Sequence, residues 1–185
     1  MNKYERITKR TKESLYNAFW QFYKTTDIEK IKVKEICELA NYDRTTFYRY
    51  FTDTTDILNQ IENEIIDSIK TKIKNNSSVE EITVEKFKIF SETYGEYIVT
   101  FYEKGNRHFY IKFKELINKY VYDYLNINVQ DEEKKEFLYN FMFSSLISTY
   151  TYWYRNPKIM DLESFVILIN KMILDGSKII INYIK

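Results

Sequence analysis

Glycine and proline are scarce here, with three glycines and one proline in 185 residues. A fold of many tight turns needs both, so an all-β sandwich or barrel is a poor fit. Cysteine is almost missing. Cys37 stands alone, which excludes an intramolecular disulfide framework and suits a reducing, cytoplasmic setting. With a single histidine, His108, no Cys/His cluster of metal-binding spacing can be drawn, and no Gly-rich phosphate loop is present. The sequence thus carries no signature of an enzyme, a metal site or a bound cofactor. Paired carboxylates occur (Glu80–Glu81, Glu132–Glu133), but they suit helix N-termini, where negative charge complements the dipole. No uncharged apolar run reaches the roughly eighteen residues of a membrane span. The tail "MDLESFVILINKMILDGSKIIINYIK" comes nearest, and Glu163, Lys171, Asp175 and Lys178 interrupt it. The leader "MNKYERITKRTKESLYNAFW" is charged before it is apolar and lacks a signal-peptide hydrophobic region.

What is present is helical periodicity. Leu, Ile, Phe and Tyr recur at intervals of three and four between Lys, Glu, Asp and Asn. The expected fold is all-α with about nine helices: 8–24, 32–40, 44–51, 55–74, 84–94, 96–104, 107–126, 131–154 and 161–184. Gly95 and Gly105 mark expected breaks, and Pro157 follows the eighth helix. The polar joint "NNSSVEEIT" at 75–83 is the best boundary. It divides a small unit, residues 1–53 with a connecting helix 54–75, from a helical bundle at 76–185.

Net charge is only +1, but its distribution is uneven. Residues 1–50 hold 11 Lys/Arg against 7 Asp/Glu, and five of the cations (Lys3, Arg6, Lys9, Arg10, Lys12) fall in the first twelve positions. A basic arm points modestly towards phosphate. The densest stretch is "NYDRTTFYRYF", 41–51. On a wheel of about 100° per residue, Phe47, Tyr50 and Phe51 share one face, while Arg44, Thr45, Tyr48 and Arg49 share the other, with Thr46 at its edge. One face would anchor the segment on Leu15, Phe19, Val33 and Ile36; the other displays donors and a flat ring. The preceding "KVKEICELA" buries Val33, Ile36, Cys37 and Ala40 at helical spacing, and Asp43 is placed to cap the next helix. Two short helices joined by a three-residue turn and packed on a longer one form a helix-turn-helix. Its second helix enters the major groove of DNA, where Arg44 can grip guanine or phosphate, Thr45 and Thr46 can bond phosphate or meet a thymine methyl, and Tyr48 can reach a phosphate. Lys32 and Lys34 would lie beside the backbone. A plainer alternative is that Arg44 and Arg49 only solvate a structural helix.

"KIKVKEICELANYDRTTFYRYFTDTTDIL", 30–58, resembles the DNA-binding segment of TetR-family (tetracycline-repressor-type) transcriptional regulators. Ile36, Ala40, Thr46, Phe47, Tyr48, Tyr50, Phe51 and Leu58 match the family pattern, and the basic first helix and overall length agree with it. The resemblance implies DNA contact by Lys34, Arg44, Thr45, Thr46, Tyr48 and Arg49. Asn41 and Tyr42 replace the usual Gly-Val of the turn, which Asn tolerates because it accepts a left-handed backbone. Asp43 replaces a common Ser. Thr54 stands where a phosphate-binding Lys is usual, a loss that lowers the salt slope of binding by roughly 0.9.

In the second half, Leu138, Phe141, Met142, Ser145, Leu146, Thr149 and Trp153 make one stripe, and Leu162, Phe165, Ile169, Met172, Ile173, Gly176, Ile180 and Tyr183 another. Gly176 lies mid-helix at a cost of about 1 kcal/mol against Ala, as if to admit a neighbouring helix. The resemblance implies that these two helices pair with their copies in a homodimer, through Leu138, Met142, Ser145, Phe165, Ile169, Met172, Gly176 and Ile180. Burial of both helices within one chain is the alternative. A dimer would hold two recognition helices about 34–36 Å apart, one turn of an operator duplex. The family also responds to ligands, and the central helices offer Phe90, Tyr94, Tyr97, Phe101, Phe109, Phe113, Tyr120 and Phe141 for a small apolar or aromatic effector. Such rings at helical spacing serve equally as core. "WYRNP" and "YIVTFYEKGNRHFYIKF" resemble the branch of the family that includes dihydroxyacetone-kinase regulators. The resemblance therefore implies a ligand-responsive repressor; a sensor or coactivator module with weak operator binding is the other reading, and Thr54 favours it.

Overall fold

The computed structural model of the chain describes residues 2–75, 82–125 and 131–184; the side chains of 74, 75, 121–125, 177 and 179–184 lie outside that description. Among the described residues there are eight α-helices, one short 3-10 turn and no strand. The chain divides into two compact units, Met1–Asp67 and Ser68–Lys185. That division falls inside the fourth helix. Most of the polar joint expected at 75–83, with Glu80 and Glu81, lies outside the described residues.

In the first unit, α1 (Lys3–Tyr23) begins five residues before the expected start. The apolar stripe gave no sign of it, because a capping box sets this end. The Glu5 N–H donates to Asn2 Oδ1 at 2.8 Å, and the Asn2 N–H donates to Glu5 Oε2 at 2.9 Å. A 3-10 turn at Ile28–Lys30 leads to α2 (Val33–Ala40). This helix stops at Asn41, whose φ of 58° and ψ of 46° are left-handed, as its place in the turn requires. The Tyr42 N–H then returns to the Cys37 carbonyl at 3.0 Å. α3 (Arg44–Tyr48) is shorter than the two turns expected over 44–51. The Tyr50 and Phe51 N–H groups both fold back on the Phe47 carbonyl, at 2.9 and 3.0 Å, which ends the helix. Asp53 caps α4 (Thr54–Asn75), accepting from the N–H groups of Thr55 and Asp56 at 2.8 Å. Leu15, Phe19, Ile36, Phe47 and Ile57 are fully buried and form the heart of this unit.

In the second unit, α5 (Val84–Glu103) runs straight through Gly95, so the break expected there is absent and eight helices replace nine. Gly95 has a packing role instead. The Tyr154 ring and the Tyr150 hydroxyl press onto its Cα from α7, and a Cβ would meet both. Gly105 does end the helix, with φ of +63°, and Asn106 caps α6 (Arg107–Leu125) through the Phe109 N–H at 3.0 Å. Asp131 caps α7 (Glu132–Arg155). After Pro157 the Trp153 indole N–H bonds the Met160 carbonyl at 2.8 Å, and Asp161 opens α8 (Leu162–Ile184). Trp153 and Phe165 stack at 4.3 Å, and Asn170 exchanges hydrogen bonds with the Ile82 backbone at 2.8 and 3.3 Å. Ile98, Val99, Phe101, Leu138 and Phe165 are buried at the centre.

Two substitutions check this reading. By helix propensity Gly95→Ala gains about 1 kcal/mol, but overpacking against the two tyrosines costs about 1–3 kcal/mol. Urea denaturation is expected to show net destabilisation. At Asn41, Gly is expected to hold or raise the melting temperature, while Val lowers stability by about 1–2 kcal/mol because a β-branched residue is strained in the left-handed region.

Candidate nucleic-acid interface

The geometry of α2, its turn and α3 follows from three local choices. Asn41 accepts the left-handed turn. Asp43 caps α3, its Oδ1 accepting the Thr46 N–H at 2.6 Å. The Thr46 backbone and hydroxyl hold the Asp43 carboxyl below the usual carboxylate range, and the Arg49 charge adds a smaller pull in the same direction. Phe47, with 0% of its surface exposed, then fixes the depth of the helix. The Phe51 ring lies 5.3 Å from Phe47 and 5.5 Å from Tyr16 of α1.

The residues expected to read DNA fall where the wheel put them. Arg44, Thr45, Tyr48 and Arg49 are exposed together, and Thr46 is half-buried at the edge. Tyr48 is 57% exposed although it is aromatic, with its ring edge-on to Phe47 at 5.5 Å. An exposed ring held upright by a buried one can lie against sugar and phosphate without ordering cost. Lys32 and Lys34 are exposed at the start of α2. Lys34 pairs with Glu38 at 3.6 Å, a solvated contact worth little and readily exchanged for phosphate. Tyr50 is only half-buried, so Phe47 and Phe51 are the true anchors. Burial raises the Cys37 thiol above its ordinary range and leaves it a core residue.

The second unit changes two expectations. Of the rings expected to line an effector site, Phe101, Phe109 and Phe113 come together, but they pack on one another, at 4.3 Å for the first pair and 5.5 Å for the second. Phe90 and Tyr94 pair at 5.4 Å, while Tyr97 and Tyr120 are half-buried. Phe141 is 52% exposed and faces outward, so it cannot line an interior pocket. The residues expected to form a dimer stripe differ in burial. Leu138, Met142, Phe165 and Ile169 are buried in this chain's own core, which removes them from an outer face. Ser145, Met172 and Gly176 are half-buried, and a Cβ on Gly176 would meet no atom of the described residues within 4 Å. The Ile180 side chain lies outside the described residues. The outward face of α7 carries Phe137 (64% exposed), Phe141, Ser144, Ser148 and Tyr152 (65% exposed). Spacings of four, three, four and four confine these five to an arc of about 80°. A wheel restricted to exposed positions would have found them, but the sequence does not show which apolar residues are exposed.

Among the described residues no three His, Cys, Asp or Glu side chains cluster to hold a metal ion, and no helix is long and apolar enough to cross a membrane. Residues 77–175 match the TetR_C_8 family model, the transcriptional regulator C-terminal region. A TetR transcriptional regulator from Streptococcus agalactiae is similar in structure, with a TM-score of 0.68 at 26% identity over 92% of this chain and 97% of that one. The fatty acid degradation regulator FadR from Bacillus halodurans shares the fold, with a TM-score of 0.57 at 17% identity over 90% and 95% of the two chains. No curated protein matches the sequence. An all-helical chain with a helix-turn-helix, matched over more than half its length by this family's C-terminal model, belongs to the TetR family of transcriptional regulators.

Proposed function

We propose that the protein is a ligand-responsive transcriptional repressor that binds a palindromic operator as a homodimer. The observation that carries the reading is the joint exposure of Arg44, Thr45, Tyr48 and Arg49 on α3 and its C-cap, a segment held from its other side by buried Phe47 and Phe51. Arginine and threonine can read base edges in the major groove, and Tyr48, Lys32 and Lys34 can grip the backbone. Thr54, half-buried at the start of α4, supplies no cation, so phosphate affinity rests on the remaining basic residues.

For the dimer, the outward stripe of α7 supplies what a two-fold contact needs. Rings at Phe137, Phe141 and Tyr152 flank small side chains at Ser144 and Ser148, so two copies can cross closely at the serines while the rings cover one another. Ile167 adds an exposed apolar side chain on α8. For the effector, a small apolar or aromatic molecule would replace contacts among the packed rings of the second unit, such as Phe101–Phe109 at 4.3 Å. Tyr94 has direct access to α4, since its hydroxyl lies 2.6 Å from Ser68 Oγ and the Lys72 ammonium sits 4.8 Å over its ring. A ligand that moves Tyr94 changes the contacts that hold α4, a route from effector to operator affinity.

Two experiments test this. Mobility shifts on DNA flanking the protein's own gene are expected to show specific, salt-sensitive binding, which Arg44→Ala weakens by about 1–3 kcal/mol and Arg44→Ala with Tyr48→Ala removes. Intact binding by the double variant would reject the recognition helix. Failure to select any DNA from a random library, with tight binding of a small molecule or protein, would favour the sensor or coactivator reading instead. In light scattering, Phe141→Glu is expected to convert dimer to monomer with unchanged circular dichroism; a persistent dimer would move the interface off α7.

A further inference from the structure

The wheel accounts for the two faces of α3 but leaves its orientation unexplained. Two buried rings set how deep the helix lies and which face turns inward. They do not fix its tilt or its finer rotation, and five residues are too few to be rigid alone. Base reading depends on both, since a bidentate contact tolerates only about half an ångström of error. The chain immediately after Arg49 is where such control would act, and there the backbone is held by side chains of α4. Gln60 donates through Nε2 to the Tyr50 carbonyl at 3.2 Å and to Asp56 Oδ1 at 3.2 Å. The other oxygen of Asp56 accepts the Thr52 N–H at 2.8 Å. From α1, the Tyr16 hydroxyl donates to Glu64 Oε1 at 2.8 Å, with Gln60 Oε1 sharing that proton at 3.3 Å. The Lys12 ammonium lies 3.5 Å from Glu64 and 5.9 Å over the Phe51 ring.

We infer that Gln60 and Asp56, aligned by Tyr16, are positioning residues for the recognition helix, clamping the Tyr50 carbonyl and the Thr52 N–H to the first turns of α4. The inference rests on the DNA-binding reading above. The chemistry of the clamp is directional. The Gln60 amide has two N–H bonds for two acceptors, and its oxygen faces the one hydroxyl donor. A flipped amide would set oxygen against the Tyr50 carbonyl and the Asp56 carboxylate, so a single orientation is selected. Burial, then the Glu64 hydrogen bond and charge, keep the Tyr16 phenol above its ordinary range, so it remains a donor. Gln60, Asp56 and Tyr16 are each half-buried, whereas Arg44, Thr45, Tyr48 and Arg49 are exposed.

The test compares two probes, the duplex flanking the protein's own gene and a scrambled duplex of equal length, each titrated at two salt concentrations. Gln60→Met keeps the shape and removes the donors. It is expected to weaken binding to the specific duplex about tenfold, the value of one misaligned base contact, with scrambled-duplex affinity and salt slope unchanged. Asp56→Asn, which keeps an acceptor for Thr52, is expected to lose less than Asp56→Ala. Tyr16→Phe deletes one oxygen and leaves the core rings in place, and it is expected to show the same selective loss at smaller amplitude. A purely structural role would lower affinity for both duplexes together with the melting temperature. That pattern, or no loss with both Gln60→Met and Tyr16→Phe, overturns the inference while leaving the DNA-binding reading intact. Wild-type protein that prefers neither duplex overturns both.

Discussion

A helix of five residues fixes more backbone dihedrals than its few hydrogen bonds offset, so α3 exists only because the rest of its unit imposes it. Phe47 and Phe51 carry that constraint. Each buries a ring worth about 1.5–3 kcal/mol, and together with Leu15, Phe19, Ile36 and Ile57 they are almost wholly withdrawn from solvent. The alternation of function around α3 follows. Because Phe47 must point inward, Arg44, Thr45 and Tyr48 must point outward, and Asp43 must cap the one turn that remains. The Asn41 turn, the Asp53 cap and the contacts of Tyr16 serve this single placement.

The second unit is governed by ring packing of a different kind. Trp153 stacks on Phe165, Phe101 packs tilted against Phe109, and Gly95 is left bare so that Tyr150 and Tyr154 can close onto α5. The Tyr150 hydroxyl is buried, and burial drives its phenol well above the ordinary range, so it stays neutral while it shares a hydrogen bond with Ser91 at 3.0 Å. Thr100 and Thr151 have buried hydroxyls with no hydrogen-bond partner among the described residues. Polar atoms of this sort inside an aromatic core carry a desolvation cost.

Much of the first unit was legible because its signals are local. The spacing of Val33, Ile36 and Cys37, the Asn41–Asp43 turn and the two faces of 44–51 each depend on residues a few positions apart. The legible part stopped where long-range partners enter. The start of α1 at Lys3 depended on a capping box that precedes the apolar stripe. The hold of Gln60 on the Tyr50 carbonyl joins residues ten apart on different elements, a pairing that no periodicity announces. In the second unit, Leu138, Met142, Phe165 and Ile169, expected on an outer face, are buried in the core. Most faces of α7 are apolar, so hydrophobicity could not distinguish Leu138 inside from Phe141 outside.

The sequence by itself determined the helical class, the helix-turn-helix and the residues that α3 presents, because periodicity, capping and turn chemistry act within one or two turns of backbone. Only the tertiary structure decided that Gly95 is a seat for two tyrosines and not a break, that Phe141 and Tyr152 face outward, and that the aromatic residues of α5 and α6 stack on one another. Each of those outcomes depends on which helix lies opposite, and a side chain's burial is a property of its neighbours in space.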